Sequence, residues 1–308
     1  MLKIEYNAKS FPKSIYGGQL QGKNTLITDW HEVVWAAITV GKRNSAQISS
    51  HGALSLYEII NRSTLVWLTL KQNANKLEKS SVYTDMDPTE KTFVSFSLGM
   101  IMSKIFALKL LGIPWLEHVS SVNSSVVTKT QTKSRPDLIG LNKRKEYIIF
   151  EAKGRSNNFD SAVQAKAKNQ TKVIHKIGSL QPVLRVACQS YFNNSLEVYI
   201  EDPEDIQEEP INIEISETDY FESYYSIFKG ILRTDQSLLK QIGIQIAFSS
   251  SLHSALKKRK YEALFNVAKK KDVYFDKDGF KCFPDGLKIK LDPTLWGDEL
   301  LAVEPDQR

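Results

Sequence analysis

The apolar and polar positions predict a regular order of elements through the middle of the chain. Residues 87–112 begin with Asp-Pro, a helix cap followed by proline at the first helical position, and end at a glycine, so they predict a long helix. Apolar runs at 118–128, 135–141 and 145–154 predict three strands, the last two joined by a charged turn. Residues 158–177 carry one apolar stripe at helical spacing, and 182–192 and 195–201 predict two further strands. Helix, three strands, helix and two strands indicate an α/β fold.

The flanking regions have a different pattern. Residues 29–40 and 51–70 predict helices, and a polar stretch at 71–87 separates them from the middle region. The acidic segment 201–222 predicts a solvated connection, 220–232 and 235–271 predict helices, and 272–291 predicts a terminal hairpin. We therefore expect three regions: a mixed N-terminal region (1–85), a core (86–203) and a mostly helical C-terminal region (204–308).

Composition places the chain among ordinary soluble globular proteins. It has 308 residues with a formal net charge of +6, which is compatible with an anionic partner but does not specify one. Its two cysteines, Cys188 and Cys282, are not spaced as a disulfide or a zinc pair. The most hydrophobic run, 96–115, contains Lys104 and Lys109, which favours a core helix over a membrane span. With no secretory signal at its start, the sequence predicts a cytoplasmic protein with no membrane partner.

Two acidic residues on the predicted hairpin suggest a metal site. If the loop is centred on Arg144, Asp137 and Glu151 lie directly opposite each other, with Cβ atoms about 4.5–5.5 Å apart. Two carboxylates that close repel unless one is protonated or a cation lies between them. Mg²⁺ takes one or two carboxylates together with water and substrate phosphate. The spacing therefore predicts a divalent-ion site at Asp137 and Glu151.

Lys153 lies on the same face of the strand as Glu151, because alternate residues of a strand share a face. From there it can orient or help deprotonate a water molecule beside the metal, as metal-assisted phosphodiester hydrolysis requires. The alternative is a surface hairpin on which Glu151 and Lys153 form a weak ion pair. Residues 147–153 are apolar on both faces, which is typical of a central strand and disfavours that alternative.

Pro136-Asp137 followed by Glu151-Ala152-Lys153 on an apolar strand resembles the PD-(D/E)xK nuclease superfamily. The resemblance covers roughly the middle third of the chain. It implies a restriction-endonuclease-like core, a mixed central sheet flanked by helices in the order αβββαβ, with N-terminal and mostly helical C-terminal extensions. It also implies that Asp137 and Glu151 hold Mg²⁺, for which Mn²⁺ can substitute, and that Lys153 acts on the attacking water.

The resemblance extends to three further residues. Many members add an acid from the first core helix, for which Glu90 is the best match, whereas Asp87 is expected to cap that helix. Several branches carry Gln or Lys on the helix after the site, which suggests Gln164 as a catalytic residue and Lys168 as a phosphate contact. The alternative is a solvated helix face on which neither residue has a role in catalysis.

The function that the resemblance implies is an Mg²⁺-dependent endonuclease acting on DNA, in bacterial restriction or antiphage defence. Two alternatives stay open: a nuclease-fold binding or assembly subunit of a larger defence or repair complex, and a nuclease that acts on RNA. A helicase or ATPase, another protein subunit or a second copy of the chain are the candidate protein partners.

Overall fold

The computed structural model describes residues 1–121, 125–127, 135–202, 211–232, 234–270 and 272–296. The N-terminal elements are β1 (Leu2–Lys9), α1 (Lys13–Tyr16), a 3₁₀ turn (Gly17–Leu20), β2 (Gly22–Thr28), α2 (Trp30–Thr39), α3 (Ser45–Ser50), α4 (Ala53–Thr69), β3 (Leu70–Asn73), β4 (Lys76–Lys79) and α5 (Ser81–Asp85). The predicted helices at 29–40 and 51–70 are confirmed as α2 and α4. The side chain of Asp29 caps α2 by accepting a hydrogen bond from the backbone N–H of Glu32 at 3.1 Å.

The middle of the chain follows the predicted order with two corrections. Its elements are α6 (Pro88–Leu111), β5 (Trp115–His118), β6 (Ser125–Val127), β7 (Leu138–Leu141), β8 (Tyr147–Gly154), α7 (Ser161–Thr171), β9 (Ile174–Ile177), β10 (Leu184–Phe192) and β11 (Leu196–Glu201). The prediction of one strand at 118–128 was wrong. β5 already ends at His118, the first residue of the predicted strand, and β6 belongs to another sheet. The predicted helix at 158–177 was too long, since residues 174–177 form β9, which pairs in parallel with a later strand.

The C-terminal elements are β12 (Ile211–Glu214), α8 (Glu217–Tyr224), α9 (Ser226–Ile231), α10 (Ser237–Gln241), β13 (Ile244–Phe248), α11 (Ser250–Lys258), α12 (Glu262–Lys270), β14 (Tyr274–Phe275), β15 (Lys281–Cys282), β16 (Leu287–Leu291) and α13 (Pro293–Trp296). The predicted helix at 235–271 is interrupted, because Gly243 has a φ of +72° and the chain then enters β13, which pairs with β16. The acidic segment also contains structure, β12 and the start of α8, while residues 203–210 lie outside the described part of the chain.

A mixed nine-stranded sheet forms the centre of the protein. Its order is β3-β4-β1-β11-β10-β8-β7-β5, with β2 paired to β1. The pairs β5–β7, β7–β8 and β10–β11 are antiparallel, whereas β8–β10 and β1–β11 are parallel. The α/β class with a mixed central sheet flanked by helices is therefore shown. Strands from residues 2–79 belong to this same sheet, so the boundary expected at residue 85 does not separate two sheets.

Two helices cover opposite faces of the sheet at β8. Gly154 faces α6, because a Cβ placed on it would lie 1.6 Å from the backbone oxygen of Ser95. Residues 151 and 153 point to the other face, where Gln164 of α7 contacts β10. Helix α6 is long and apolar enough to cross a membrane, but 78% of its most apolar window is buried inside the protein. Such burial is compatible with a core helix of a folded domain.

Candidate active site

The β7–β8 hairpin brings Asp137 and Glu151 together. The register pairs Leu138 with Phe150 and Leu141 with Tyr147, so the hairpin is centred on residue 144, as predicted. Asp137 directly precedes β7 and therefore lies opposite Glu151. The backbone N–H of Asp137 donates a hydrogen bond to Glu151 Oε2 at 2.9 Å, and the backbone N–H of Ala152 donates to Asp137 Oδ2 at 3.1 Å. These two bonds fix both carboxylates to the backbone of the facing strand.

Lys153 completes the site from the same face of β8. Its ammonium group donates a hydrogen bond to Glu151 Oε1 and forms an ion pair with it. The side chain of Glu151 is fully buried, whereas that of Lys153 is 23% exposed. The lysine therefore lies between the buried carboxylate and solvent, where a substrate would approach.

The carboxylate pair has the electrostatics of a site that needs a cation. Burial, and then the negative charge of Asp137, raise the pKa of Glu151 to about 8, although Lys153 and the backbone hydrogen bond oppose the rise. Burial also raises the pKa of Asp137 above its ordinary value. Two acids this close titrate as one pair, and near neutral pH the pair retains a proton that a divalent cation would displace.

The position of Lys153 depends on a close crossing of α6 and β8. A Cβ placed on Gly99 would lie 2.8 Å from the backbone of Lys153 and Gly154, and one placed on Gly154 would overlap Ser95. Two facing glycines let the helix backbone contact the strand directly. The end of β8 is thus held by backbone contact just beside the candidate catalytic lysine.

Gln164 is buried, so the alternative of a solvated face does not apply to it. Its Nε2 donates to the backbone oxygen of Ala187 at 3.3 Å, and Ala187 pairs with Glu151 across β8 and β10. Its Oε1 accepts from Gln189 Nε2 at 3.4 Å, and Gln189 pairs with Lys153. Gln164 therefore packs one strand away from the carboxylate pair, on the same face of the sheet.

Gln189 is a residue that sequence analysis missed. It is fully buried, and its side chain accepts from the backbone N–H of Asp160 at 2.9 Å and donates to the backbone oxygen of Asp160 at 3.0 Å. Asp160 caps α7. An amide in the middle of the apolar run 184–192 was the available signal, because a buried polar side chain requires partners.

The structure gives Lys168 and Glu90 other contacts. The ammonium group of Lys168 lies 2.8 Å from the buried Glu201, with which it forms an ion pair. Glu90 is exposed at the start of α6, where its carboxylate accepts a hydrogen bond from the backbone N–H of Asp87 at 3.2 Å. Asp87 and Glu90 together form a capping box. The roles of a phosphate contact for Lys168 and a third metal ligand for Glu90 thus gain no geometric support.

The donor atoms at the site fit a hard divalent ion. Asp137 and Glu151 supply carboxylate oxygens, the type of ligand that Mg²⁺ and Mn²⁺ prefer. Among the described residues there is no group of three or more His, Cys, Asp or Glu side chains that could hold a metal by themselves. A two-carboxylate site leaves several coordination positions for water and substrate oxygen, as is usual for Mg²⁺.

No protein-family model matches the chain, and neither the curated proteins nor the solved structures contain a match to it.

Proposed function

We propose that the protein is an Mg²⁺-dependent nuclease that hydrolyses phosphodiester bonds of DNA. The observation that carries the proposal is the pair of facing carboxylates, Asp137 and Glu151, with Lys153 hydrogen-bonded to Glu151. A fully buried glutamate beside a second acid is costly for folding unless a proton or a cation offsets the repulsion, and a divalent ion would do so while both acids are ionised. The residue types and their placement are those that phosphodiester hydrolysis with a divalent ion requires.

The topology around the site supports a restriction-endonuclease-like core. Strands β5, β7 and β8 form an antiparallel meander, and α7 connects β8 to its parallel neighbour β10. Helices α6 and α7 cover opposite faces. This arrangement has the αβββαβ order that the resemblance implies, with β6 and β9 as additional short strands outside the sheet.

Each residue of the site has a distinct role in the proposed reaction. Mg²⁺, when bound by Asp137 and Glu151, supplies charge stabilisation for the phosphate and lowers the pKa of a bound water. Lys153 donates a hydrogen bond to the attacking water and holds it in line with the phosphorus atom. Glu151 orients the lysine through their shared hydrogen bond. Gln164 holds α7 against β10, one strand away from the carboxylate pair.

The cellular setting follows the resemblance. We propose a cytoplasmic role in restriction or antiphage defence, where a helicase, an ATPase or a second copy of the chain could present the DNA. The net charge of +6 is consistent with a nucleic-acid substrate.

Plasmid nicking with and without Mg²⁺ tests the proposal. We expect wild-type protein to nick supercoiled DNA only with Mg²⁺ or Mn²⁺, and Glu151→Ala to lose at least about 100-fold in rate, since metal ligands contribute several kcal/mol of transition-state stabilisation. Glu214→Ala is the matched control, because Glu214 also lies on a strand but is exposed. Nicking by a folded Glu151→Ala protein at the wild-type rate would refute the proposed function.

A further inference from the structure

A cavity of about 570 Å³ lies between the end of α2, α4, α6 and the end of β5. Its volume falls in the usual range for sites that bind small organic groups. Two phenyl rings of α6, Phe93 and Phe96, line it and remain 58% and 48% exposed. They are three residues apart and therefore lie on one side of the helix. The cavity thus offers two exposed aromatic faces beside an apolar floor.

Charged side chains at the cavity are mainly basic. Lys42, Arg43 and Arg62 line it together with a single acid among the described residues, Glu58. Arg62 donates through Nε to Glu58 at 2.7 Å and through Nη1 to the backbone oxygen of Val40 at 2.7 Å. Its Nη2 atom is buried and has no hydrogen-bond partner in the part of the chain that the structure describes. With three basic side chains and one acid, the cavity lining carries a net positive charge, which suits an anionic ligand.

The cavity lies at the same end of the sheet as the carboxylate pair. His118, the last residue of β5, lines the cavity and pairs with Leu138. The next residue, Val119, donates its backbone N–H to the backbone oxygen of Asp137 at 2.9 Å. His118 faces α6 while Asp137 and Glu151 face α7, so the cavity and the carboxylate pair lie on opposite faces at the same end of the sheet.

We propose that this cavity holds one unpaired nucleotide of the nucleic-acid strand that is presented to Asp137 and Glu151. The base stacks on Phe93 and Phe96, as bases do on exposed aromatic side chains in single-strand binding sites. The exposed Arg43 contacts the adjoining phosphate. The identification of the ligand as part of a nucleic-acid strand rests on the proposed nuclease function. It makes single-stranded or locally unpaired DNA the preferred substrate.

The test uses the full chain in a metal-free buffer with chelator, so that no cleavage is needed. The probe is a single-stranded oligonucleotide of about ten nucleotides that carries one 2-aminopurine, whose fluorescence falls when it stacks on an aromatic ring. We expect wild-type protein to bind and quench it, and Phe93→Ala/Phe96→Ala to bind about tenfold more weakly without quenching. Tyr57→Ala is the matched control, because Tyr57 lies on α4, is 57% exposed and does not line the cavity.

The outcomes separate this inference from the proposed function. Quenching that is retained in Asp137→Asn and lost in the double phenylalanine variant supports the cavity even if no variant cleaves DNA. Equal binding and quenching by wild type and the double variant would overturn the inference while leaving nicking by the carboxylate pair intact. Free deoxynucleoside monophosphate binding as tightly as the oligonucleotide would also overturn it, since the ligand would then be a free nucleotide.

Discussion

At the scale of single residues, Glu151 has the most distinctive environment in the candidate active site. Its side chain is fully buried, it faces Asp137, and burial raises its pKa to about 8. The folded protein therefore holds a proton at this pair over a pH range in which the unfolded chain has released it. Metal binding must displace that proton, so metal affinity and stability both depend on pH through the same two groups.

The pair predicts opposite pH trends for the stability of the metal-free protein and for the stability gained on metal binding. A glutamate with a raised folded pKa contributes stability that is present below pH 4.5 and lost as pH rises through about 8. We therefore expect this pair to lower the melting temperature of metal-free protein as pH rises across this range. The increase in melting temperature on adding millimolar Mn²⁺ or Mg²⁺ should be larger at pH 8 than at pH 6.

Thermal melting of wild type, Asp137→Asn and Glu151→Gln at both pH values checks this expectation. The melting temperatures of the variants should not rise with metal, and Glu151→Gln should flatten the pH dependence of the metal-free melting temperature. A gain with Mn²⁺ that is equal in wild type and both variants would place the metal elsewhere.

Lys153 tests whether the site performs chemistry or only binds phosphate. We expect Lys153→Ala and Lys153→Arg both to lose cleavage while DNA binding stays within a few-fold of wild type, because an interaction made mainly in the transition state affects rate more than affinity. A lysine that only attracted phosphate would be replaceable by arginine, which carries the same charge. Single-turnover cleavage and DNA binding, both measured at one fixed salt concentration, distinguish a catalytic role from simple phosphate binding. Cleavage by saturated Lys153→Ala at the wild-type rate would refute the role.

At the scale of elements, α7 is attached to the sheet by buried amides and one ion pair. Gln164 contacts the backbone of β10 and the side chain of Gln189, while Lys168 pairs with Glu201 at the end of β11. The amides lie beside Glu151 and Lys153, whereas Glu201 pairs with Ala187 of β10 from the far side. Gln164 therefore contacts the strand beside the carboxylate pair, whereas Lys168 contacts the strand beyond it.

This difference predicts different effects of two alanine substitutions. Gln164→Ala leaves buried partners unsatisfied, so we expect a loss of about 1–3 kcal/mol in the free energy of unfolding and a reduced cleavage rate in the folded protein. Lys168→Ala should destabilise the protein by leaving the buried Glu201 without its charged partner, but leave the cleavage rate of the folded fraction unchanged. Denaturant unfolding and single-turnover cleavage measure the two effects. Lys166→Ala, an exposed lysine of the same helix, is the control. A larger rate loss in Lys168→Ala than in Gln164→Ala would restore Lys168 as a phosphate contact.

At the scale of the whole molecule, a buried polar network joins the C-terminal sheet to the centre of the protein. Asp285, in the turn between β15 and β16, accepts hydrogen bonds from Trp35 Nε1 at 2.9 Å and from the Tyr224 hydroxyl at 2.8 Å. Lys104 of α6 is fully buried and donates to the same hydroxyl at 2.8 Å. The Tyr225 hydroxyl donates to the backbone oxygen of Asp285 at 2.6 Å. Lys104 and Asp285, more than one hundred positions apart in the chain, are thus bridged by one buried tyrosine hydroxyl.

A double-mutant cycle measures this connection. We expect Lys104→Met and Asp285→Asn each to lower the free energy of unfolding by about 3–5 kcal/mol, because each leaves the other group buried without its opposite charge. The double variant should lose less than the sum, with a coupling of about 0.5–3 kcal/mol. The exposed pair Lys76 and Glu5, 3.0 Å apart, is the control and should show a coupling of about 0–1 kcal/mol. Additive losses in the free energy of unfolding at Lys104 and Asp285 would mean that the network does not couple the C-terminal sheet to the centre of the protein.

Local signals were sufficient for several parts of the structure. Asp87, Pro88 and Gly112 mark both ends of α6, because capping and a left-handed glycine are decided within a few residues. The hairpin register agrees with a loop centred on Arg144, the assumption under which strand periodicity places Asp137 opposite Glu151. Long-range contacts decided the rest. Ile174 and Ile177 fit a helical stripe equally well, but their pairing with β12 makes them a strand. Gly243 ends what the pattern predicted as one helix, because Ile244 pairs with Leu291.

The sequence by itself determined the carboxylate pair and the lysine, since their relation depends only on strand periodicity and one turn. It also determined the α/β class and the order of the central elements. Tertiary structure alone decided that β1 to β4 join the same sheet, that Gln164 is buried against Gln189, and that Lys168 pairs with Glu201. The physical reason is range: periodicity fixes which side chains share a face, but only the packing of distant segments fixes what that face meets.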